Sequence, residues 1–156
     1  PEAVLVVEFT EEDWANNLAK IDQLQAVMAQ LSEAHAGKPH QKIRAEEAVV
    51  VITPPDQQAR ISEMRKSGLN IMMSMKSEAK PVSFVEDCAV PLQDLADYTQ
   101  GLKDIFEKYG TSGTWYAHAS VGCLHVRPVL NMKLSADVQK MKSIATEAFE
   151  LVKKYG

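Results

Sequence analysis

Tyr116-Ala117-His118-Ala119-Ser120-Val121-Gly122-Cys123-Leu124-His125-Val126-Arg127-Pro128 decides the fold. On either side of Val121-Gly122 the residues read as strands, and the glycine marks a turn. A hairpin is therefore predicted, with arms at Trp115–Ser120 and Cys123–Val129. If Val121-Gly122 forms a two-residue turn, Ser120 faces Cys123 and His118 faces His125. Directly opposed residues share a face, with Cβ atoms about 4.5–5.5 Å apart. Two imidazoles at that spacing can converge on one metal ion or one substrate oxygen. Arg127, two residues beyond His125, points to the same side. This face suits an anion held beside a metal or an acid–base group. The bland alternative is a pair of ordinary cross-strand histidines.

Working outward, Val82–Val90 reads as another strand, stopped by Pro91. Leu95, Tyr98, Leu102, Ile105 and Tyr109 follow a helical period up to Gly110. A last helix is capped by Ser135 and carries Val138, Met141, Ile144, Ala148 and Val152. Towards the N-terminus, Ala3–Phe9 and Ala48–Ile52 are β-branched runs of strand length. The first helix starts at Thr10-Glu11-Glu12-Asp13, runs through Trp14, Leu18, Ile21 and Met28, and closes at Gly37-Lys38-Pro39. A second opens at Pro54-Pro55-Asp56 and ends near Gly68. Asn70–Lys80, with Met72, Met73 and Met75, reads as a mobile loop or lid. The order β-α-β-α-β-α-β-β-α predicts an α+β fold. Its best form is ferredoxin-like split βαβ units, with a largely antiparallel sheet and helices packed on one face.

The chain has 156 residues, 46% of them hydrophobic, and a net charge of −4. One domain spanning 1–156 is the expectation, with enough buried surface to need no staple. The acidic balance argues against nucleic acid, and no apolar run is long enough to cross a bilayer. With no signal peptide, a cytoplasmic location is expected. Cys88 and Cys123, in apolar surroundings, read as buried free thiols of a reducing compartment. The start at Pro1 reads as a processed or excised piece.

Glu86 and Asp87 interrupt an apolar strand. Acids there are exposed, paired or functional. Either could be a third metal ligand beside the histidines. In a regular strand only one of two neighbours reaches a given face. Arg65 and Lys66 read first as solvated helix charges, and His35 and His40 receive no role. There is no glycine-rich phosphate loop and no nucleophile motif. A metal-dependent hydrolase on His118 and His125 lacks an evident water-activating base.

Three ordered motifs resemble those of a known family. Ala117–His125 is similar to a Gly-His-x-Gly-Asp-Gly-Asn-x-His hairpin. Glu86-Asp87-Cys88-Ala89-Val90-Pro91 matches a Glu-Asp-x-Ala-Val-Pro strand end. Arg65–Leu69 matches an Arg-Lys-x-Gly-Leu helix end. The chain resembles the C-terminal substrate domain of FAD-linked oxidases of the vanillyl-alcohol oxidase type. That group includes glycolate oxidase subunits, D-lactate dehydrogenases and D-2-hydroxyglutarate dehydrogenases. The hairpin is most similar to that of large members with a downstream iron–sulfur region, so a cluster is expected elsewhere in the parent.

The resemblance implies oxidation of a D-2-hydroxy acid to a 2-oxo acid. It implies His118 and His125 as catalytic residues holding a divalent metal such as zinc, and Arg65 and Arg127 as substrate-binding. Glu86 and Asp87 fall at the position assigned to the cofactor, FAD. Relatives often carry Asn where Arg127 stands, and Ser120-Val121-Gly122-Cys123 replaces Gly-Asp-Gly-Asn. The FAD-binding domain, expected as a partner in the same polypeptide, and a Glu-His-Gly segment with a third ligand are expected outside this stretch. The fragment alone is expected to be inactive, with a homo-oligomer among the outcomes once its partner face is bare. The other reading is a stand-alone ferredoxin-like ligand-binding or regulatory module without redox chemistry.

Overall fold

A computed structural model describes residues 4–34 and 49–156. The chain divides into two compact units, Pro1–Ser62 and Glu63–Gly156. In the first, helix α1 spans Trp14–Ala34. Asp13 starts it, its Oδ1 accepting from the backbone N–H of Ala15 at 2.6 Å and of Asn16 at 3.2 Å. The cap is thus three residues later than Thr10, because Asp13 places its carboxylate on the orphan N–H groups. Helix α2 spans Pro55–Met73, with Pro55 at its first position and Asp56 in its first turn.

Val4–Phe9 and Val49–Ile52 form no strand. Val4 and Leu5 are 72% and 71% exposed. A β-branched run makes a strand only where a neighbour completes its ladder. Ala3, Ala48, the Gly37-Lys38-Pro39 stop, His35 and His40 lie outside the described residues.

In the second unit, α2 continues through Gly68 to Met73. A lone glycine inside a helix costs about 1 kcal/mol, too little to end it. Asn70–Met73, expected in a loop, are therefore helical. Strand β1 is Lys80–Pro81 and β2 is Val85–Ala89. A 3₁₀ turn at Leu92–Asp94 leads into helix α3, Leu95–Lys108. Strands β3, Gly113–His118, and β4, Cys123–Leu130, form the hairpin, and helix α4 spans Ser135–Val152. Ser135 is the first helical residue, not the cap. The carboxylate of Asp137 instead accepts from the backbone N–H of Asn131 at 2.8 Å.

Strand β4 is the centre of the sheet and pairs antiparallel with β1, β2 and β3. Val126 is matched by Val85 of β2 and by Trp115 of β3, so these strands flank β4 on opposite sides. They run parallel to each other, joined by α3, with β4 inserted between them. This is one split β-α-β unit, and the expected α+β class with an antiparallel sheet is observed.

Burial alternates along β4. Leu124, Val126, Pro128 and Leu130 are buried, and Cys123, His125, Arg127 and Val129 are half-buried. The buried side shares a core with Tyr98, Leu102, Ile105 and Phe106 of α3 and Ile144 and Ala148 of α4. Each buried Leu, Ile, Val or Phe among them contributes about 1.5–3 kcal/mol. Helices α3 and α4 thus cover one face, and His125 and Arg127 of β4 lie on the other.

Candidate functional site

The hairpin loop has four residues, not two. Ala119–Val121 form a 3₁₀ turn, and Gly122 alone takes the left-handed conformation, φ 69°. A type I′ turn would need positive φ at Val121 as well, which a β-branched residue resists. Gly122 also meets the strand behind it. A Cβ there would lie 1.9 Å from the Val90 carbonyl oxygen. Its own carbonyl accepts from the Val90 N–H at 3.1 Å.

The longer loop shifts the register. His118 stands opposite Cys123 and Tyr116 opposite His125, so the expected His118–His125 pairing is corrected. Because the shift is two residues, both histidines stay on one face. They meet diagonally, ring centres 5.2 Å apart and nearly edge-on. The Tyr116 ring lies 5.6 Å from His118 and 5.8 Å from His125.

Strand β2 carries a second irregularity. Val85 pairs with Val126 and Cys88 with Leu124, so Glu86 and Asp87 together oppose His125. This is a β-bulge, with Asp87 at φ 58°. Glu86 Oε2 is 2.9 Å and Asp87 Oδ1 3.1 Å from His125 Nδ1. The expectation that only one acid reaches this face is therefore corrected: the extra residue breaks strict alternation and brings both. A carboxylate only accepts, so Nδ1 carries the proton of the neutral ring and Nε2 keeps its lone pair.

Glu86 also accepts from Arg127 Nε at 2.8 Å and from Ser83 Oγ at 2.6 Å. Burial raises its pKa, but the Ser83 and His125 hydrogen bonds and the Arg127 charge outweigh this and hold the carboxyl below 4.5. Burial, followed by the charges of Asp87, Cys88 and Glu86, raises the Cys123 thiol.

A depression of about 230 Å³ opens beside this face, lined by Arg65, Lys66, Met72, Tyr116, His125 and Arg127. The Arg65 guanidinium stacks over the Tyr116 ring, 4.6 Å from its centre, a cation–π contact that fixes its head group. Three cations at one depression favour an anionic ligand. Lys66, read first as a solvated charge, is among them. Sequence reasoning assigned no role to Tyr116, Cys123 or Ser83. Period-two counting back from each histidine reaches Tyr116 and Cys123, whereas nothing in the sequence marks the bulge.

Two imidazoles with centres 5.2 Å apart, one held by carboxylates at its other nitrogen, are a donor set that fits a divalent ion. The described residues form no glycine-rich cradle for a dinucleotide. Among them, no helix is long and apolar enough to cross a membrane.

Residues 1–156 match the family described as FAD linked oxidases, C-terminal domain. The chain is 39% identical to the D-2-hydroxyglutarate dehydrogenase of Pantoea ananatis over 97 residues, 62% of the chain and 10% of that protein. It is 33% identical to the D-2-hydroxyglutarate dehydrogenase of Escherichia coli over 152 residues, 97% of the chain and 14% of that protein. It is 27% identical to the glycolate oxidase subunit GlcD of Bacillus subtilis over 90 residues, 58% of the chain and 18% of that protein. The chain thus spans a small part of these relatives' length. No solved structure matches it. With the whole chain matched, and the histidine hairpin on the open face of its sheet, the protein belongs to the FAD-linked oxidases and represents their C-terminal domain.

Proposed function

We propose that this chain is the substrate-facing part of an FAD-dependent dehydrogenase that oxidises a D-2-hydroxy acid to a 2-oxo acid. The observation that carries the reading is the meeting of His118, His125, Arg127 and Arg65 on one side of the sheet, beside a cationic depression. The relatives named for D-2-hydroxyglutarate favour a dicarboxylate. Arg65, Lys66 and Arg127 supply positive charge for two carboxylates. Arg127 Nε is already taken by Glu86, so a substrate carboxylate would meet its terminal nitrogens.

His125 is oriented by Glu86 and Asp87, and its Nε2 lone pair can take the hydroxyl proton or a metal. His118 and His125 would hold the divalent ion, which when bound supplies Lewis acidity at the hydroxyl oxygen. FAD, held mainly by a flavin domain of the same polypeptide, supplies the two-electron acceptor when bound. Glu86 and Asp87 serve that chemistry through His125. The cytoplasm is the proposed compartment, and an iron–sulfur cluster is proposed elsewhere in the parent.

The test uses the full-length parent, purified without oxygen. D-2-hydroxyglutarate, D-lactate and glycolate are added in turn while the visible spectrum is recorded. Bleaching of flavin absorbance, fastest with D-2-hydroxyglutarate, is expected. A parent without a flavin spectrum would overturn the reading in favour of a binding module. His118→Ala and His125→Ala should each abolish turnover with flavin still bound. Turnover retained in both would remove their catalytic role.

A further inference from the structure

We propose that Tyr116 is a positioning residue, whose ring face holds the Arg65 guanidinium at the depression with its N–H groups unpaired and ready for a substrate carboxylate. This deepens the function proposed above and rests on its reading of the depression as a hydroxy-acid site. The Arg65 head group stands over the Tyr116 ring, 4.6 Å from its centre. Both side chains line the same depression. Among the described residues, the Arg65 guanidinium makes no ion pair and no hydrogen bond, so the ring is what holds it.

The kind of contact decides what an arginine can do. A carboxylate partner takes up its N–H donors and offsets its charge. An aromatic face attracts the cation through the ring quadrupole and leaves the N–H fork free. The two arginines of the site show the difference. Arg127 donates its Nε–H to Glu86 at 2.8 Å. Arg65 keeps all its donors and its full charge. It is therefore the stronger anchor for an incoming anion, and Tyr116 confines it without competing with that anion.

The backbone makes the platform firm. Tyr116 belongs to β3 and stands directly opposite His125 of the central strand. Its ring also adjoins the imidazoles of His118 and His125, at 5.6 Å and 5.8 Å. Arg65 projects from α2, with Met72 two turns further along the same helix face and on the same depression. A free arginine loses much rotamer freedom when it grips an anion. Stacking on a strand-borne ring removes part of that freedom in advance, so less is lost on binding. It also fixes the carboxylate anchor relative to the two histidines, where the hydroxyl would react.

The experiment places Tyr116→Leu and Tyr116→Phe in the full-length parent, each with and without Arg65→Ala. Steady-state oxidation of D-2-hydroxyglutarate gives KM and kcat. Calorimetry gives Kd for 2-oxoglutarate, a dicarboxylate with no hydroxyl to oxidise. Tyr116→Leu keeps apolar bulk and removes the ring face. It should raise KM and Kd by about fivefold or more, with kcat changed by less than about threefold. Tyr116→Phe should hold both constants within about twofold of native, because the face and not the hydroxyl does the holding. In the Arg65→Ala background Tyr116→Leu should change neither. Native KM and Kd in Tyr116→Leu, or a Phe variant as weak as the Leu one, would overturn the proposal. So would an equal loss with and without Arg65, which would assign the ring to the histidines or to packing. Calorimetry needs no turnover. A parent that binds 2-oxoglutarate in the expected pattern but oxidises no hydroxy acid would keep the anchor and sink the proposed function. One that oxidises hydroxy acids without the pattern would do the reverse.

Discussion

Glu86 ties three side chains together in the site. One carboxylate serves His125, Arg127 and Ser83. Its side chain is 22% exposed and that of Arg127 19%, so removing it strands a largely buried cation. Glu86→Ala should lower stability by about 1–3 kcal/mol, read from urea unfolding at neutral pH. The pH dependence has a definite sign. The carboxyl is held below 4.5 in the folded chain. Its stabilisation is complete above the ordinary value and is lost as pH falls through the folded one. Stability should therefore fall more steeply below pH 4.5 in the native chain than in Glu86→Gln, and superimposable profiles would refute the linkage. The Tyr98 hydroxyl, by contrast, is buried with no hydrogen bond of standard geometry among the described residues, the Cys88 thiol being the polar group beside it. Tyr98→Phe should be neutral or stabilising by about 1 kcal/mol, and a clear loss would reveal a partner such as the Cys88 thiol. Both acids of β2 stood out in the sequence because charge in an apolar strand demands a reason. That they act together on one histidine was not legible, since it depends on the φ of Asp87.

Among the elements, α3 was the most readable. Tyr98, Leu102 and Ile105 recur at helical spacing and all are buried. The hairpin was legible as a hairpin, but its register was not. The loop chemistry chose four residues because one glycine can supply only one left-handed position. The Val4–Phe9 strand failed for the converse reason, since propensity was present and, among the described residues, no strand pairs with it. A pair of glycine variants tests the hairpin argument. Gly110 and Gly122 share the left-handed conformation, φ 63° and 69°. A Cβ on Gly110 meets nothing within 4 Å, whereas one on Gly122 overlaps the Val90 carbonyl. Gly110→Ala should cost only backbone strain, about 1 kcal/mol, and Gly122→Ala about 3 kcal/mol or more. Equal losses in chemical denaturation would show that the close approach to Val90 is unimportant.

Over the whole molecule, a net charge of −4 coexists with three cations around one depression. Composition argued against nucleic acid but could not reveal this local reversal of sign. The second unit has its own core, while in the first Val4, Leu5 and Trp14 are 72%, 71% and 58% exposed. Apolar surface of this kind drives association. Sedimentation velocity of the isolated chain should show concentration-dependent self-association, reduced by Leu5→Asp or Trp14→Glu. A monomer at every concentration would contradict it. The bulge has a separate consequence for how this sheet can change over generations. With Asp87 removed, Val85, Glu86, Cys88 and Ala89 would read in unbroken succession against Val126, His125, Leu124 and Cys123. The residue is thus phase-neutral: its gain or loss reverses no other side chain. Such a sheet can acquire or discard a carboxylate at its reactive face by a single-codon insertion or deletion, leaving the core on the far side untouched.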